Sequence, residues 1–264
     1  MPRLHKIFRR LIILFGADRL YTKLLEREVR EGPVPEHVAV ILDGNRRWAM
    51  GRGMIRHMGY RYGADKAEEL MKWCLELGVR SLTLYVLSKE NLRRPPEELN
   101  AIFEVMEKKL HELENDGILD REGIRFKVLG ETSVLPDDLK ERMEKLERAT
   151  SKHSSKFLNL AVGYSGRQEI LKAVREIADE VKQGRLKPED IGEEVLEAHL
   201  YTSHVADPDL IIRTSGEMRI SGFLLWQSAY SELVFMDVYW PDFRKMDFLR
   251  AIRTFQRRQR RFGL

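Results

Sequence analysis

Short, β-branched apolar runs alternate with helical stripes from residue 38 onward, and that alternation restricts the fold more than any other feature of the sequence. Residues 38–42 form an apolar run of the kind a strand buried on both faces requires. Ala67, Leu70, Met71, Cys74 and Leu75 then give a helix over about 64–77 that stops at Gly78. The pattern repeats, with strands at 81–87, 124–129, 157–162, 210–213 and 233–235. The intervening helices are one opened at Pro95 and Pro96 with the stripe Leu99, Ile102, Phe103, Met106 and Leu110, one after Pro136, and others over 168–182, 193–200 and 243–261. Residues 184–188 form a turn, and no internal repeat or linker interrupts the series. Such alternation predicts a single α/β domain, with a mostly parallel six-stranded sheet flanked by helices on both faces.

In sheets of this kind ligands sit beyond the carboxyl ends of the strands. The most demanding polar residues do follow strands. Asp43, Gly44, Asn45, Arg46, Arg47 and Trp48 follow the first; Ser88, Lys89, Glu90, Asn91, Leu92 and Arg94 follow the second. Arg213 ends the fifth, with Arg219, Ile220 and Ser221 close behind. Five arginines, Arg47, Arg56, Arg94, Arg213 and Arg219, would surround one carboxylate. Arginine's rigid fork matches phosphate oxygens two at a time, and each such bond contributes roughly 1.5–3 kcal/mol. The set therefore describes a polyanion site, against the alternative of an ion-pair network tying loops together. Gly44 lets the backbone approach phosphates. Asp43 is best explained as a ligand for Mg²⁺, which favours a carboxylate or two plus phosphate oxygens. A Walker loop and a dinucleotide Gly-x-Gly-x-x-Gly are both absent. Asp137-Asp138, after Pro136, reads as a helix cap rather than a metal motif.

Composition narrows the class. The chain has 46 basic and 42 acidic residues for a net charge of +4, too even a balance to imply nucleic-acid binding. Stacking platforms for single strands are lacking as well, so a nucleic-acid partner is not expected. Cys74 is the only cysteine, which excludes a disulfide framework and a cysteine-rich zinc site and fits a reducing, cytoplasmic setting. The apolar run over 11–17 is too short to span a bilayer. Residues 1–34 are set apart as an amphipathic helical segment, with Leu4, Ile7, Phe8, Leu11 and Phe15 on one stripe and Lys6, Arg9 and Arg10 supplying charge. It suits either an anionic membrane surface, giving peripheral association, or a helix packed on the domain or a partner chain. Arg250, Arg253, Arg257, Arg258, Arg260 and Arg261 make the last helix basic, open to the same membrane reading or to that of a solvated face.

Taken together, Asp43-Gly44-Asn45-x-Arg47-Trp48, Ser88-x-Glu90-Asn91 with Arg94, the Arg213–Ser221 segment, Glu232, Trp240-Pro241-Asp242 and Arg261-Phe262-Gly263 resemble the cis-prenyltransferases, the undecaprenyl and dehydrodolichyl diphosphate synthases, over 35–264. The resemblance implies an enzyme that adds isopentenyl diphosphate repeatedly to a farnesyl or geranylgeranyl diphosphate primer, yielding a long cis-polyprenyl diphosphate for a glycosyl carrier lipid. It implies Mg²⁺ on Asp43, with Glu232 as second ligand. Gly44 to Arg47 and Arg56 would cradle the primer diphosphate; Arg213, Arg219 and Ser221 would bind that of isopentenyl diphosphate. Asn91, with Ser88 and Glu90, sits where the family assists proton loss, and Trp48 and Arg94 would line the same cavity. The helix stripe from Leu99 to Leu110 would wall an apolar tunnel or, equally, be plain core. The closing Arg-Phe-Gly is associated with dimer contacts, so a homodimer is expected. Tyr60 and Met218 stand where bacterial members often have histidine, Leu92 where tryptophan is usual, and Arg46 where glycine is. A non-catalytic partner subunit is the rival reading, and such a subunit would be expected to lose the aspartate and arginines kept here.

Overall fold

The computed structural model describes residues 17–258, so the stripe ending at Phe15 and the Arg-Phe-Gly close lie outside the described residues. Six strands, β1 (His37–Ile41), β2 (Ser81–Ser88), β3 (Ile124–Leu129), β4 (Lys156–Tyr164), β5 (Leu210–Arg213) and β6 (Glu232–Phe235), form one sheet in the order β3-β4-β2-β1-β5-β6. Every pairing is parallel. All six carboxyl ends therefore face one way.

The helices are α1 (Ala17–Arg30), α2 (Asn45–Met50), α3 (Met58–Leu77), α4 (Pro96–Asn115), α5 (Ile118–Glu122), α6 (Asp137–Ala149), α7 (Gly166–Lys182), α8 (Glu193–Ala198) and α9 (Lys245–Arg257). Strand alternation divides the core. Val38, Val40, Leu82, Leu84, Leu210 and Ile212 face the helices of the larger layer, where Leu70, Ile102, Met143 and Phe248 are buried. Ala39, Ile41, Tyr85 and Ile211 point the other way, onto Phe223 and Leu224.

Three elements refine the sequence reading. Helix α1 falls inside the segment set apart as 1–34, yet Leu25 and Val29 belong to the main core. Glu28 of α1 pairs with Arg253 and Arg257 of α9, and Arg250 lies over the Tyr21 ring. Much of the last helix's positive charge is thus committed to α1 rather than to an outer surface. Asp137 and Asp138 lie in the first turn of α6, but Pro136 holds the cap position and no side-chain capping bond forms. Their remaining contribution is a charge at the positive end of the helix dipole. Helix α9 begins at Lys245 rather than 243, because Arg244 and Asp247 close a capping box there.

A polar chain crosses the core at the amino ends of the strands. His37 Nδ1 donates to the Ala206 carbonyl at 2.7 Å, so its Nε2 accepts from Thr83 Oγ1 at 2.8 Å. Asn159 Nδ2 donates to the same hydroxyl, and His204 Nε2 donates to Asn159 Oδ1. Burial holds the His37 imidazole down, at about 4. A histidine depressed in the folded state gives stability that is complete above its unfolded value of about 6.5 and lost as the pH falls toward 4. For His37 that loss is about 3 kcal/mol. Melting temperature should fall across this window in the parent and less steeply in His37→Gln; equal slopes would refute the assignment.

Candidate active site

Asp43 follows β1 by two residues, and Thr214 fixes its backbone: Thr214 Oγ1 donates to the Asp43 carbonyl at 2.8 Å and accepts from the Asp43 amide at 3.1 Å. Gly44 then turns the chain at φ 103°, where a Cβ would come within 2.7 Å of the Tyr239 ring. Only glycine combines that conformation with that approach. Helix α2 starts at once, and its Arg47 folds back over the carboxylate.

The carboxylate sits between two guanidinium groups. Arg213 Nη2 donates to Asp43 Oδ2 at 2.8 Å, and Arg47 reaches Oδ1 at 3.4 Å. Burial pushes the Asp43 carboxyl up, but the Arg213 hydrogen bond, one to Ser215 and the charges of both arginines outweigh it and hold the group below its ordinary value. Arg47 also donates to Ser215 Oγ at 2.7 Å and pairs with Glu217. Arg213, only 5% exposed, donates through Nη1 to Ser221 Oγ at 2.8 Å and to the Arg219 carbonyl. Its Nε is buried without a protein partner. Ser215 and Ser221 both take positive φ, at 81° and 50°. Backbone strain of this sort persists where surrounding contacts hold it, often at functional sites.

A second cluster guards the other side. Tyr60 donates to Glu98 Oε1 at 2.5 Å and accepts from Arg94 at 2.9 Å. Glu98 also pairs with Arg94 and with Arg46. Burial and the Glu98 contact push the Tyr60 phenol up, so it stays a neutral donor. Ser88 Oγ accepts the Asn91 amide at 3.1 Å and fixes the turn after β2.

These clusters form the mouth of one cavity of about 990 Å³. Asp43, Gly44, Asn45, Arg46, Arg47, Tyr60, Ser88, Glu90, Asn91, Arg94, Arg213, Arg219 and Ser221 all line it. Behind them the wall turns apolar, with Met71, Leu84, Ile102, Met106, Leu110 and Leu160. Within the predicted stripe Ile102, Met106 and Leu110 face the cavity, whereas Leu99 and Phe103 pack against the core.

Several expected residues are not brought there. Arg56 is exposed in the turn before α3 and outside the lining. Trp48 is buried against Tyr62 at 4.9 Å with Arg52 above its ring, so it braces α2 instead of lining the cavity. Leu92 and Ile220 pack on the core clusters, and Lys89 is exposed with its amide bonded to the Tyr164 carbonyl. Glu232 opens β6 in register with Leu210, at the end of the sheet away from Arg213, roughly 10 Å of strand from the site. Its carboxylate accepts from Arg258 at 2.6 Å. Glu232 and Asp43 therefore cannot share an ion within one chain.

Other lining residues were not anticipated. Ser165 and Arg167 follow β4, the fourth strand, where the strand-end rule had not been applied. Glu98 organises three mouth residues from the first turn of α4, where acids ordinarily read as dipole partners. Among the described residues no group of three or more His, Cys, Asp or Glu side chains could hold a metal ion. Asp43 alone fits a cation that takes one carboxylate and completes its shell from water and substrate phosphate, as Mg²⁺ does. No described helix is long and apolar enough to cross a membrane.

Comparison with known proteins agrees with this arrangement. Residues 41–263 match the family model "Putative undecaprenyl diphosphate synthase". The chain is 52% identical, over 93% of its length and 90% of the relative, to a tritrans,polycis-undecaprenyl-diphosphate synthase (geranylgeranyl-diphosphate specific) of Methanopyrus kandleri. It is 45% identical to an isoprenyl transferase of Thermus thermophilus, over 92% of the chain and 94% of the relative. The crystal structure of lavandulyl diphosphate synthase from Lavandula x intermedia in complex with dimethylallyl diphosphate superposes with a TM-score of 0.84 at 34% identity, covering 88% of this chain and 99% of that one. The six-stranded parallel fold, the arginine-flanked aspartate and these likenesses together establish that the chain belongs to the cis-prenyltransferase family, as a prenyltransferase of the undecaprenyl diphosphate synthase type.

Proposed function

We propose that the chain adds isopentenyl diphosphate repeatedly to geranylgeranyl diphosphate, giving an undecaprenyl-like diphosphate that serves as precursor of a glycosyl carrier lipid. The observation that carries this reading is Asp43 held between Arg213 and Arg47 at the mouth of a cavity with an apolar interior. The primer follows from the specificity named for the M. kandleri relative, 52% identical to this chain.

Asp43 would hold Mg²⁺ against the primer diphosphate, and the ion when bound supplies charge neutralisation for the leaving group. Gly44, Asn45, Arg46, Arg47 and Arg94 bind and orient that diphosphate. Arg213, Arg219 and Ser221 bind the diphosphate of isopentenyl diphosphate, whose double bond attacks the allylic carbon as the primer's diphosphate departs with its electron pair. A proton is then lost. Asn91 is a poor base and acts by orienting the released diphosphate that receives it, beside Ser88 and Glu90. Tyr60, held neutral, fixes Arg94. The apolar part of the cavity serves as the tunnel for the growing chain, whose burial is favourable at about 25 cal/mol per Å².

The catalytic domain spans 35–264, with α1 as an integral brace. A homodimer is supported by exposed Leu171 and Val174 on α7, and peripheral membrane association by the lipid product and the basic 1–16 segment. A cytoplasmic location accords with the single cysteine.

Purified protein incubated with labelled isopentenyl diphosphate and Mg²⁺ should extend geranylgeranyl diphosphate at least tenfold faster than farnesyl diphosphate. Turnover should vanish with EDTA and return with added Mg²⁺. Undiminished turnover in EDTA would overturn the metal assignment, and equal use of the primers would overturn the specificity.

A further inference from the structure

Charged side chains line the cavity in two places, and only the mouth is accounted for by diphosphate binding. The second place is the seam between α3 and α4. Lys109 of α4 lies 2.7 Å from Asp65 and 3.2 Å from Glu68, both on α3, and 2.8 Å from Glu112 of its own helix. Lys72 of α3 pairs with Glu68 at 2.7 Å. Lys72, Lys109, Glu68 and Glu112 all line the cavity, alongside Met71, Met106 and Leu113.

The position of the seam is informative. Both helices start at the mouth and run away from it, α3 from beside Tyr60 and α4 just after Arg94. Along α3, Glu68 is about 12 Å beyond Tyr60; along α4, Lys109 is about 20 Å beyond Pro96. The seam thus flanks the apolar stretch, not the diphosphate end. Stability is a weak reason for it, since ion pairs as exposed as these typically contribute 1 kcal/mol or less. A wall built only to enclose hydrocarbon would close with leucine. Charged groups give such a wall a different property: hydrocarbon spreading between them would have to strip water from the ions themselves, which is costly even where the pairing is weak. Lys109 bonds to both helices, and without it Asp65, Glu68 and Glu112 would repel across the gap.

We infer that Lys109 latches α3 to α4 and closes the side of the cavity, so that the latch determines how long a prenyl chain the enzyme holds before release. The inference rests on the cavity being the tunnel for the growing chain.

Product sizing tests it. Lys109→Ala should lengthen the products by at least one five-carbon unit, while Lys109→Arg, which keeps the charge, should retain the parent distribution. Should Lys109→Ala fail to fold, Asp65→Asn combined with Glu68→Gln removes the same cross-helix pairs from the α3 side and carries the same expectation. Folded latch variants with parent product lengths, even with a lowered melting temperature, would reduce the seam to a structural brace and overturn the inference. Met106→Trp, which narrows the cavity itself, separates the two readings. If it shortens products while the latch variants leave them unchanged, the tunnel stands and the latch falls. If Met106→Trp and the latch variants all leave length unchanged, the tunnel reading fails and takes the latch with it.

Discussion

Replacing Asp43 with alanine should lower turnover by at least a thousandfold and leave the fold standing. A thousandfold loss corresponds to about 4 kcal/mol of transition-state stabilisation, the scale expected when a metal-bearing carboxylate is removed from a departing diphosphate. Asp43 is also the partner of a nearly buried guanidinium, and breaking such a pair from one side leaves a charge without its counterion. Asp43→Asn separates the two consequences. Its amide oxygen can still accept from Arg213, so its melting temperature should lie above the alanine variant's while turnover remains as low. Recovery of turnover in Asp43→Asn would show that the carboxylate's charge is not needed and would remove the metal from the proposal.

Arg213→Met should act on the other substrate. It deletes donors to Asp43, Ser221 and the Arg219 carbonyl together, with losses of roughly 1.5–3 kcal/mol for each charged bond that also serves the substrate. Catalytic efficiency toward isopentenyl diphosphate should fall at least a hundredfold, mostly through KM, with a smaller change in KM for the primer. Without the Arg213 charge, burial is less opposed at Asp43, and the acid side of the activity profile should move to higher pH. A variant that raised the primer KM more than the isopentenyl diphosphate KM would reverse the assignment of the two diphosphate sites.

Periodicity and strand-end logic made the sheet and the mouth legible in the sequence. Val38 to Ile41 had to be interior because the run offers no polar face, and Asp43, Ser88 and Arg213 had to meet because parallel strands bring their carboxyl ends together. The misses have physical causes too. Arg56 and Trp48 were carried by motif proximity, but α2 and the following turn aim them away from the cavity. Glu232 was placed at the site although it lies at the start of its strand, and a strand start faces the opposite end of the sheet. Arg167 was overlooked because Ser165 and Gly166 look like an ordinary helix start. A helix within 1–34 was expected, but Leu25 and Val29 were not identified as its buried face because they are isolated among charges, and their burial depends on a helix more than two hundred residues later.

That long-range partnership has a consequence for biogenesis. The ledge on which Leu25 and Val29 rest is completed by α9, the last described helix to leave the ribosome. Until it arrives, Leu25 and Val29 lack the cover that Phe248, Leu249 and Ile252 give their cluster. The seating of α1 therefore waits on α9, and a chain cut before Lys245 should leave Leu25 and Val29 partly uncovered.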